Sequence, residues 1–187
     1  MDFKILVLLL ASTTRCFCVL ICNPTSNATE RHRLYTELFV NQGYNSKIPP
    51  FNHINHSFDV NISFFLETII DLDEITGVLK TASYMIIAWY DEYLQWDKTE
   101  YNTTTAYWPQ NDIWKPDIAL HNSVGSYKSL GHENVMVKNI YGGHILWVLH
   151  EMFETSCDID MTYYPYDVQT CEIRFATLSI LEVSSFD

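Results

Sequence analysis

The chain contains the segment CDIDMTYYPYDVQTC, residues 157–171, which has a cysteine at each end. Thirteen residues separate Cys157 from Cys171, and an aromatic-Pro-aromatic-Asp group stands at residues 164–167. If the two thiols pair, closing a loop of this size stabilises the folded chain by roughly 3 kcal/mol in the chain-entropy model. By itself the segment is typical of an ordinary structural disulfide, so its meaning depends on the residues around it.

Residues 1–22 have the composition of a secretory leader. Lys4 is followed by an apolar run at residues 5–11, and small residues near residue 22 suit cleavage there. A signal anchor is the alternative, but residues 13–15 are polar and a membrane span needs about 20 apolar residues. We therefore predict a signal peptide, followed by an exported mature chain over residues 23–187.

Cysteine usage and sequons agree with export. Cys16, Cys18 and Cys22 belong to the leader region, so the mature chain keeps Cys157 and Cys171. An oxidising compartment would pair these two. Four Asn-x-Ser/Thr sequons predict N-glycosylation at Asn27, Asn55, Asn61 and Asn102.

The charge balance is strongly acidic. Asp and Glu outnumber Lys and Arg by 23 to 11, which gives a net charge of −12. Such a chain repels phosphate backbones and attracts cations, so we predict no nucleic-acid partner. Solubility alone also explains an acidic surface, and the acidic turn at residues 71–74 is open to either solvation or Ca²⁺ binding.

Hydrophobic periodicity predicts one packed domain made mainly of strands. Residues 29–41 carry an apolar helical stripe that includes Leu34 and Leu38. From Asp59 the period changes to two, with one face formed by Val60, Ile62, Phe64 and Leu66. A second long strand is predicted at residues 77–93, and shorter strands at residues 118–121, 135–138, 144–149, 168–175 and 178–183. This pattern indicates an all-β sandwich or barrel with a short N-terminal α-helix.

Several Trp-rich and Pro-rich segments turn this general pattern into a specific resemblance. In chain order they are WYDEYLQW at residues 89–96, PQNDIWKPD at residues 109–117, the segment from Gly143 to Trp147 followed by Phe153, and the cysteine loop. Together they resemble the Cys-loop receptors, which are pentameric ligand-gated ion channels, and within them the nicotinic acetylcholine receptors. The residues that carry the likeness are Trp89, Asp91, Trp96, Trp114, Pro116, Asp117, Pro165 and Asp167.

The resemblance covers residues 29–175 and implies an immunoglobulin-like β-sandwich that binds ligand outside the cell. It also implies other subunits of a homo- or hetero-pentamer, a small cationic neurotransmitter such as acetylcholine, and a cation channel in the cell membrane at a synapse. The ligand-binding domain is then incomplete at the C-terminus, with closing strands and a membrane domain beyond Asp187. We expect this piece alone to be poorly stable, because its final sheet would expose unpaired edges.

Candidate ligand residues follow from the same resemblance. On the complementary side of a subunit interface Tyr84 occupies an aromatic position usually filled by Trp, and Leu146 and Val148 occupy the nearby hairpin positions. Aromatic rings at such places hold a quaternary ammonium through their faces. On the principal side His121 and Leu178 stand where Tyr and Trp are usual, which predicts a better fit to a complementary or structural role.

Two alternative identities of the chain stay open, and so does the role of one residue. One is a secreted acetylcholine-binding protein without a channel, and another is an unrelated immunoglobulin-like adhesion module, whose disulfide usually spans far more residues. His121 also has uses as a structural residue, a pH sensor or a metal ligand. His53 and His56 lie in a polar loop without further ligands at metal spacing, so we predict no metal site, and we also expect no cofactor and no catalytic residue.

Overall fold

The computed structural model describes residues 2–6, 28–50, 59–125, 129–132 and 134–177. Within these residues the chain forms helix α1 (Ala28–Tyr35), which continues as a π-helical turn (Thr36–Asn41), and eight strands. The strands are β1 (Asp2–Leu6), β2 (Asn61–Asp73), β3 (Val78–Gln95), β4 (Thr105–Pro109), β5 (Ile118–Leu120), β6 (Met136–Ile140), β7 (Gly142–Ser156) and β8 (Thr170–Thr177).

The strands form two antiparallel sheets around one core. The larger sheet has the order β2-β3-β7-β6-β4, and the smaller sheet has the order β1-β8-β5. Inward side chains of β3 and β7, such as Ile87 and Leu149, pack in the same apolar cluster as Ile173 of β8. The predicted all-β sandwich with a short N-terminal helix is therefore confirmed.

The predicted helix is confirmed at residues 28–41. Leu34 and Leu38 are fully buried, as the apolar stripe requires. Phe39 packs edge-on against Trp108 with ring centroids 5.1 Å apart, and it stacks on Tyr35 at 4.8 Å. Through these rings the helix covers one part of the core beside β4.

The long alternating strand is confirmed together with its inner face. Val60, Ile62 and Phe64 pack against the core. Leu66 lies opposite the buried Ser83, so it keeps the same face although it is 37% exposed. The register of β2 against β3 shifts between Leu66 and Thr68, which marks an irregularity of the β-bulge type. A bulge moves the following side chains to the other face of the strand.

Strand β1 lies inside the segment predicted as a leader. It pairs with β8, from Asp2 opposite Arg174 to Leu6 opposite Thr170. Residues 7–27 are outside the described part of the chain, and the signal peptide stays a prediction.

The cysteine pair joins the two sheets. Cys157, just after β7, is bonded to Cys171 in β8, with a Cα–Cα distance of 5.0 Å. Both are buried and pack with Leu79 of β3. Gln169 closes the enclosed loop, because its side chain exchanges hydrogen bonds of 3.0 Å with the backbone N–H and C=O of Asp160. The predicted disulfide is therefore present at the base of a loop whose tyrosines are exposed.

A buried carboxylate organises the middle of the structure. The hydroxyl of Tyr44 donates to Asp91 Oδ2 at 2.7 Å, and the same oxygen of Tyr44 accepts from the backbone N–H of Trp114 at 3.0 Å. Trp114 in turn packs edge-on against Trp89 at 6.1 Å. Asp91 thus holds together three segments that are far apart in sequence.

Burial makes Asp91 sensitive to pH. Loss of hydration is the main cause that raises the pKa of Asp91, and the hydrogen bond from Tyr44 opposes this effect. The folded chain therefore keeps this proton to higher pH than the unfolded chain, so stability falls as pH rises from about 4 through the raised pKa. We expect Asp91→Asn to remove this contribution, so that the variant gains stability relative to wild type as pH rises through that window.

Urea unfolding measured at several pH values between about 4 and 8 tests this prediction. Asp97→Asn is the matched control, because the pKa of the exposed Asp97 is lowered by its hydrogen bonds from Thr99. Because the contribution of Asp97 changes mainly below about pH 4, we expect the stability difference between wild type and Asp97→Asn to stay nearly constant over most of the measured range. A wild-type and Asp91→Asn pair whose stability difference stays constant with pH would contradict the assignment.

Candidate functional site

The larger sheet presents one face to solvent, which we call the outer face. Along β3 the residues Tyr84, Ile86 and Ala88 alternate with fully buried neighbours, and along β7 Leu146 and Val148 do the same. Strand pairing places Ala88 opposite Leu146 and Ile86 opposite Val148. The three residues predicted for the complementary side therefore share the outer face, on two adjacent strands.

Three rings form a row across this face. Phe65 of β2 lies opposite Tyr84 of β3, which lies opposite His150 of β7. The rings of Phe65 and Tyr84 are nearly parallel, with centroids 4.5 Å apart, and the rings of Tyr84 and His150 are 5.7 Å apart at 28°. Because the neighbouring strands lie on opposite sides of β3, the Tyr84 ring is stacked between two others.

A carboxylate lies beside the row. Glu67 Oε1 is 3.7 Å from His150 Nδ1, and both side chains are largely exposed. This part of the outer face therefore combines aromatic rings with a negative charge, a combination that attracts cations. The face also carries a positive charge, because Lys138 of β6 lies opposite Leu146.

Met136 also lies on the outer face, and it was not predicted from the sequence. Met136 of β6 is 49% exposed, while the next residue, Val137, is fully buried. The pairing of Lys138 with Leu146 places Met136 level with Val148. The sequence MVKNI of β6 does not alternate apolar and polar residues, so it carries no signal for this position.

The predicted principal-side residues lie elsewhere. His121 follows β5 and is exposed, and its backbone N–H donates to the carbonyl of Arg174 in β8 at 2.7 Å. It therefore belongs to the smaller sheet and does not meet Tyr84 within one chain. Leu178 lies outside the described residues.

Asn122 anchors the segment next to His121. Its Nδ2 donates to the carbonyl of Ser156 at 3.2 Å and to that of Glu172 at 2.8 Å, and its Oδ1 accepts from the backbone N–H of Arg174 at 3.0 Å. Ser156 and Glu172 are the immediate neighbours of the two disulfide cysteines. One side chain thus ties the end of β5 to both strands beside the disulfide.

The acidic turn has a structural use. Asp73 Oδ1 accepts hydrogen bonds from the backbone N–H groups of Ile75 and Thr76, and hydrogen bonding to Thr76 is the main cause that lowers the pKa of Asp73. In the part of the chain that the structure describes, no group of three or more His, Cys, Asp and Glu side chains is arranged to hold a metal ion. His53 and His56 are outside that part.

The two sequons that lie in the described residues are both accessible. Asn61 is exposed at the start of β2, on the outer face. Asn102 is exposed in the connection between β3 and β4, with a φ of 44°. Asn27 and Asn55 fall outside the described residues.

Comparison with known proteins gives one consistent result. Residues 31–181 match the family model of the neurotransmitter-gated ion-channel ligand binding domain. The chain is 31% identical over 153 residues to the acetylcholine receptor subunit delta of Xenopus laevis, which covers 81% of the chain and 29% of that relative. It is 34% identical over 162 residues to the acetylcholine receptor subunit alpha-type acr-16 of Caenorhabditis elegans, which covers 86% of the chain and 32% of that relative.

The chain spans about a third or less of the length of the curated relatives it matches. Among the described residues, no helix has the length and apolar character that a membrane crossing requires. The matched family is a ligand-binding domain of ion channels and not a family of enzymes.

Proposed function

The chain belongs to the neurotransmitter-gated ion-channel ligand-binding domain family, and from this premise we propose that it is the extracellular part of an acetylcholine receptor-like subunit. In this proposal the subunit assembles with others into a homo- or hetero-pentamer at the cell membrane, at a synapse. Binding of a small cationic neurotransmitter between subunits opens a cation channel formed by residues beyond this chain. We also propose that residues 1–22 are the leader and that residues 23–187 belong to the ligand-binding domain.

The observation that carries the proposal is the composition of the outer face. Tyr84 lies in a row of rings, and on the neighbouring strand Val148 is diagonal to it and Leu146 lies further along the same face, opposite Ala88. A partner subunit that covers this face would exclude water from it, and exclusion of water strengthens the attraction between a cation and aromatic rings. We propose that this chain supplies the complementary side of the ligand site.

The residues predicted for the principal side are less suited to hold a cation. His121 is exposed at the end of β5, away from the outer face, and its imidazole replaces a larger phenol in the relatives that the sequence resembles. Leu178 has no ring with which to hold a cation. We therefore propose that the aromatic residues opposite Tyr84 come from a different subunit in a hetero-pentamer.

Exposed sequons fit a cell-surface protein. We propose N-glycans at Asn61 and Asn102, whose side chains are accessible, and also at Asn27 and Asn55. The same proposal places the chain on the extracellular side of the cell membrane, with secretion as a soluble binding protein as the alternative. Recovery of the native protein from extracellular fluid, and never from membranes, would favour that alternative.

Substitution of Tyr84 tests the proposed site. The full gene product is co-expressed with an acetylcholine receptor alpha-type subunit, and binding of labelled acetylcholine at the cell surface is measured. Since a ring is worth about 1 kcal/mol toward a cation, we expect Tyr84→Ala to weaken binding by roughly 5-fold.

Tyr93→Ala is the matched control, because Tyr93 is a partly exposed tyrosine of the same strand outside the row of rings. We expect it to leave the affinity unchanged. Equal affinities for wild type and Tyr84→Ala, at equal amounts of assembled receptor, would rule out this position as part of the site.

A further inference from the structure

One of the predicted glycosylation sites lies on the outer face, beside the row of rings. Ile62 and Phe64 of β2 pack against the core. The residues that alternate with them therefore face the solvent, and these are Asn61, Ser63 and Phe65. Asn61 and Ser63 are the two residues that define the sequon. The whole recognition motif is thus on the face that carries the candidate site.

The surface next to Asn61 is made of small side chains. Strand pairing places Asn61 opposite Ala88 of β3, and Ala88 opposite Leu146 of β7. Ala88 ends in a single methyl group, and the next outward residue of β2 is Ser63. A sugar attached to Asn61 therefore has room to lie over β3, on the face that a partner subunit covers in the proposed function.

Asn61 is also near the row of rings. Tyr84 and Ala88 are four residues apart along β3, which is about 13 Å at the rise of an extended strand. Asn61 lies one strand, about 5 Å, to the side of Ala88, so its Cα is about 14 Å from that of Tyr84.

The size of a stable interface decides whether Asn61 falls inside it. A standard interface buries about 800 Å² on each partner, and a circular patch of that area has a radius of about 16 Å. A patch of this size centred on Tyr84 includes Asn61. A partner subunit that packs there needs the space that a glycan on Asn61 occupies, because an N-glycan is bulky.

Ring assembly makes this conflict apply to every copy of the chain in a pentamer. In a closed ring each subunit uses two different patches, and a neighbour covers each of them. The outer face is one of these patches in the proposed function. A chain whose outer face carries a glycan therefore does not fit into the closed ring.

We infer that glycosylation of Asn61 regulates assembly, because the glycan and the partner subunit compete for the outer face. A chain with the glycan stays outside the pentamer, and a chain with an unmodified Asn61 enters it. The inference rests on the proposed function and adds a regulatory modification of the proposed interface. Asn102 does not share this role, since it lies in the connection between β3 and β4 and not on a strand of the outer face.

Glycan occupancy in assembled and unassembled chains tests the inference. The full gene product is co-expressed with an acetylcholine receptor alpha-type subunit, and sedimentation separates pentamers from unassembled chains. Peptide N-glycosidase converts a glycosylated Asn into Asp, so mass spectrometry then gives the occupancy of residue 61 in each fraction. We expect glycosylated Asn61 in the unassembled fraction and its loss from the pentamers.

Two substitutions remove the sequon in different ways. Asn61→Gln removes the residue that is glycosylated, and Ser63→Ala removes the hydroxyl that the sequon requires. We expect both variants to raise the share of the chain found in pentamers. Ser63→Thr keeps the sequon, and Thr104→Ala removes the sequon of Asn102 instead. We expect neither of these two controls to raise the assembled share.

The outcomes separate the inference from the proposed function. Pentamers in which Asn61 is glycosylated as often as in unassembled chains overturn the inference and leave the proposed function standing, because the interface then ends short of this part of β2. Asn61 that is unmodified in both fractions also overturns the inference. Pentamers that form with the two sequon variants but not with wild type support it. Absence of pentamers in wild type and in both variants overturns the proposed assembly and the inference together.

Discussion

Replacing both Cys157 and Cys171 with alanine is expected to lower the free energy of unfolding by about 3 kcal/mol, the entropic effect of opening a loop of this size. In this fold the disulfide also connects the end of β7 to β8, and so holds the larger sheet to the smaller one. Urea unfolding of the variant and of wild type, at fixed pH, measures the difference. The double substitution avoids leaving one reactive thiol unpaired.

Reduction of the wild-type protein is the control for this change. Wild type in the presence of a thiol reductant should lose a similar amount of stability, whereas the double variant should not respond. Equal stability of the oxidised wild type and the double variant would show that other contacts between the sheets are sufficient.

Replacing Phe153 with alanine is expected to cost about 3–5 kcal/mol, as truncation of a buried phenylalanine does. Phe153 projects inward from β7, 4% exposed, and its ring lies 5.4 Å from Phe175 of β8 and 6.2 Å from Phe64 of β2. The substitution therefore leaves a cavity in the core where β2 and β7 of the larger sheet pack against β8 of the smaller sheet. Thermal and urea unfolding of the purified chain measure the loss.

Met152→Ala is the control, because the adjacent side chain points outward and is 74% exposed. Its effect should stay within about 0.5 kcal/mol. Phe175→Ala and the double variant Phe153→Ala/Phe175→Ala complete a cycle, in which the two losses should not add, since the rings are in contact. Strict additivity would contradict the contact between them.

Much of the fold follows from patterns within single segments. The helix at residues 28–41 and strands β2 and β3 are visible as periodic apolar residues, because each buries one face against the core. Strand β4 was missed, since Thr105 to Pro109 is short and ends in proline. Strand β7 was predicted only at residues 144–149 although it spans residues 142–156, because the buried Glu151 interrupts the apolar residues of its inner face.

The candidate site was harder to predict from the sequence than the fold was. Tyr84 and Val148 were found through the family resemblance, but their neighbours Phe65 and His150 were not. Which residues face each other across strands depends on register, and register is set by the whole sheet and by irregularities such as the shift after Leu66. A row of rings assembled from three strands has no signature in any one of them.

The three hydrogen bonds of the Asn122 side chain connect the end of β5 to both β7 and β8. A sliding motion of any one strand past the others at this point would break at least one of these bonds. The residues at the end of β5, beside His121, are therefore connected directly by hydrogen bonds to the residues next to the disulfide in β7 and β8.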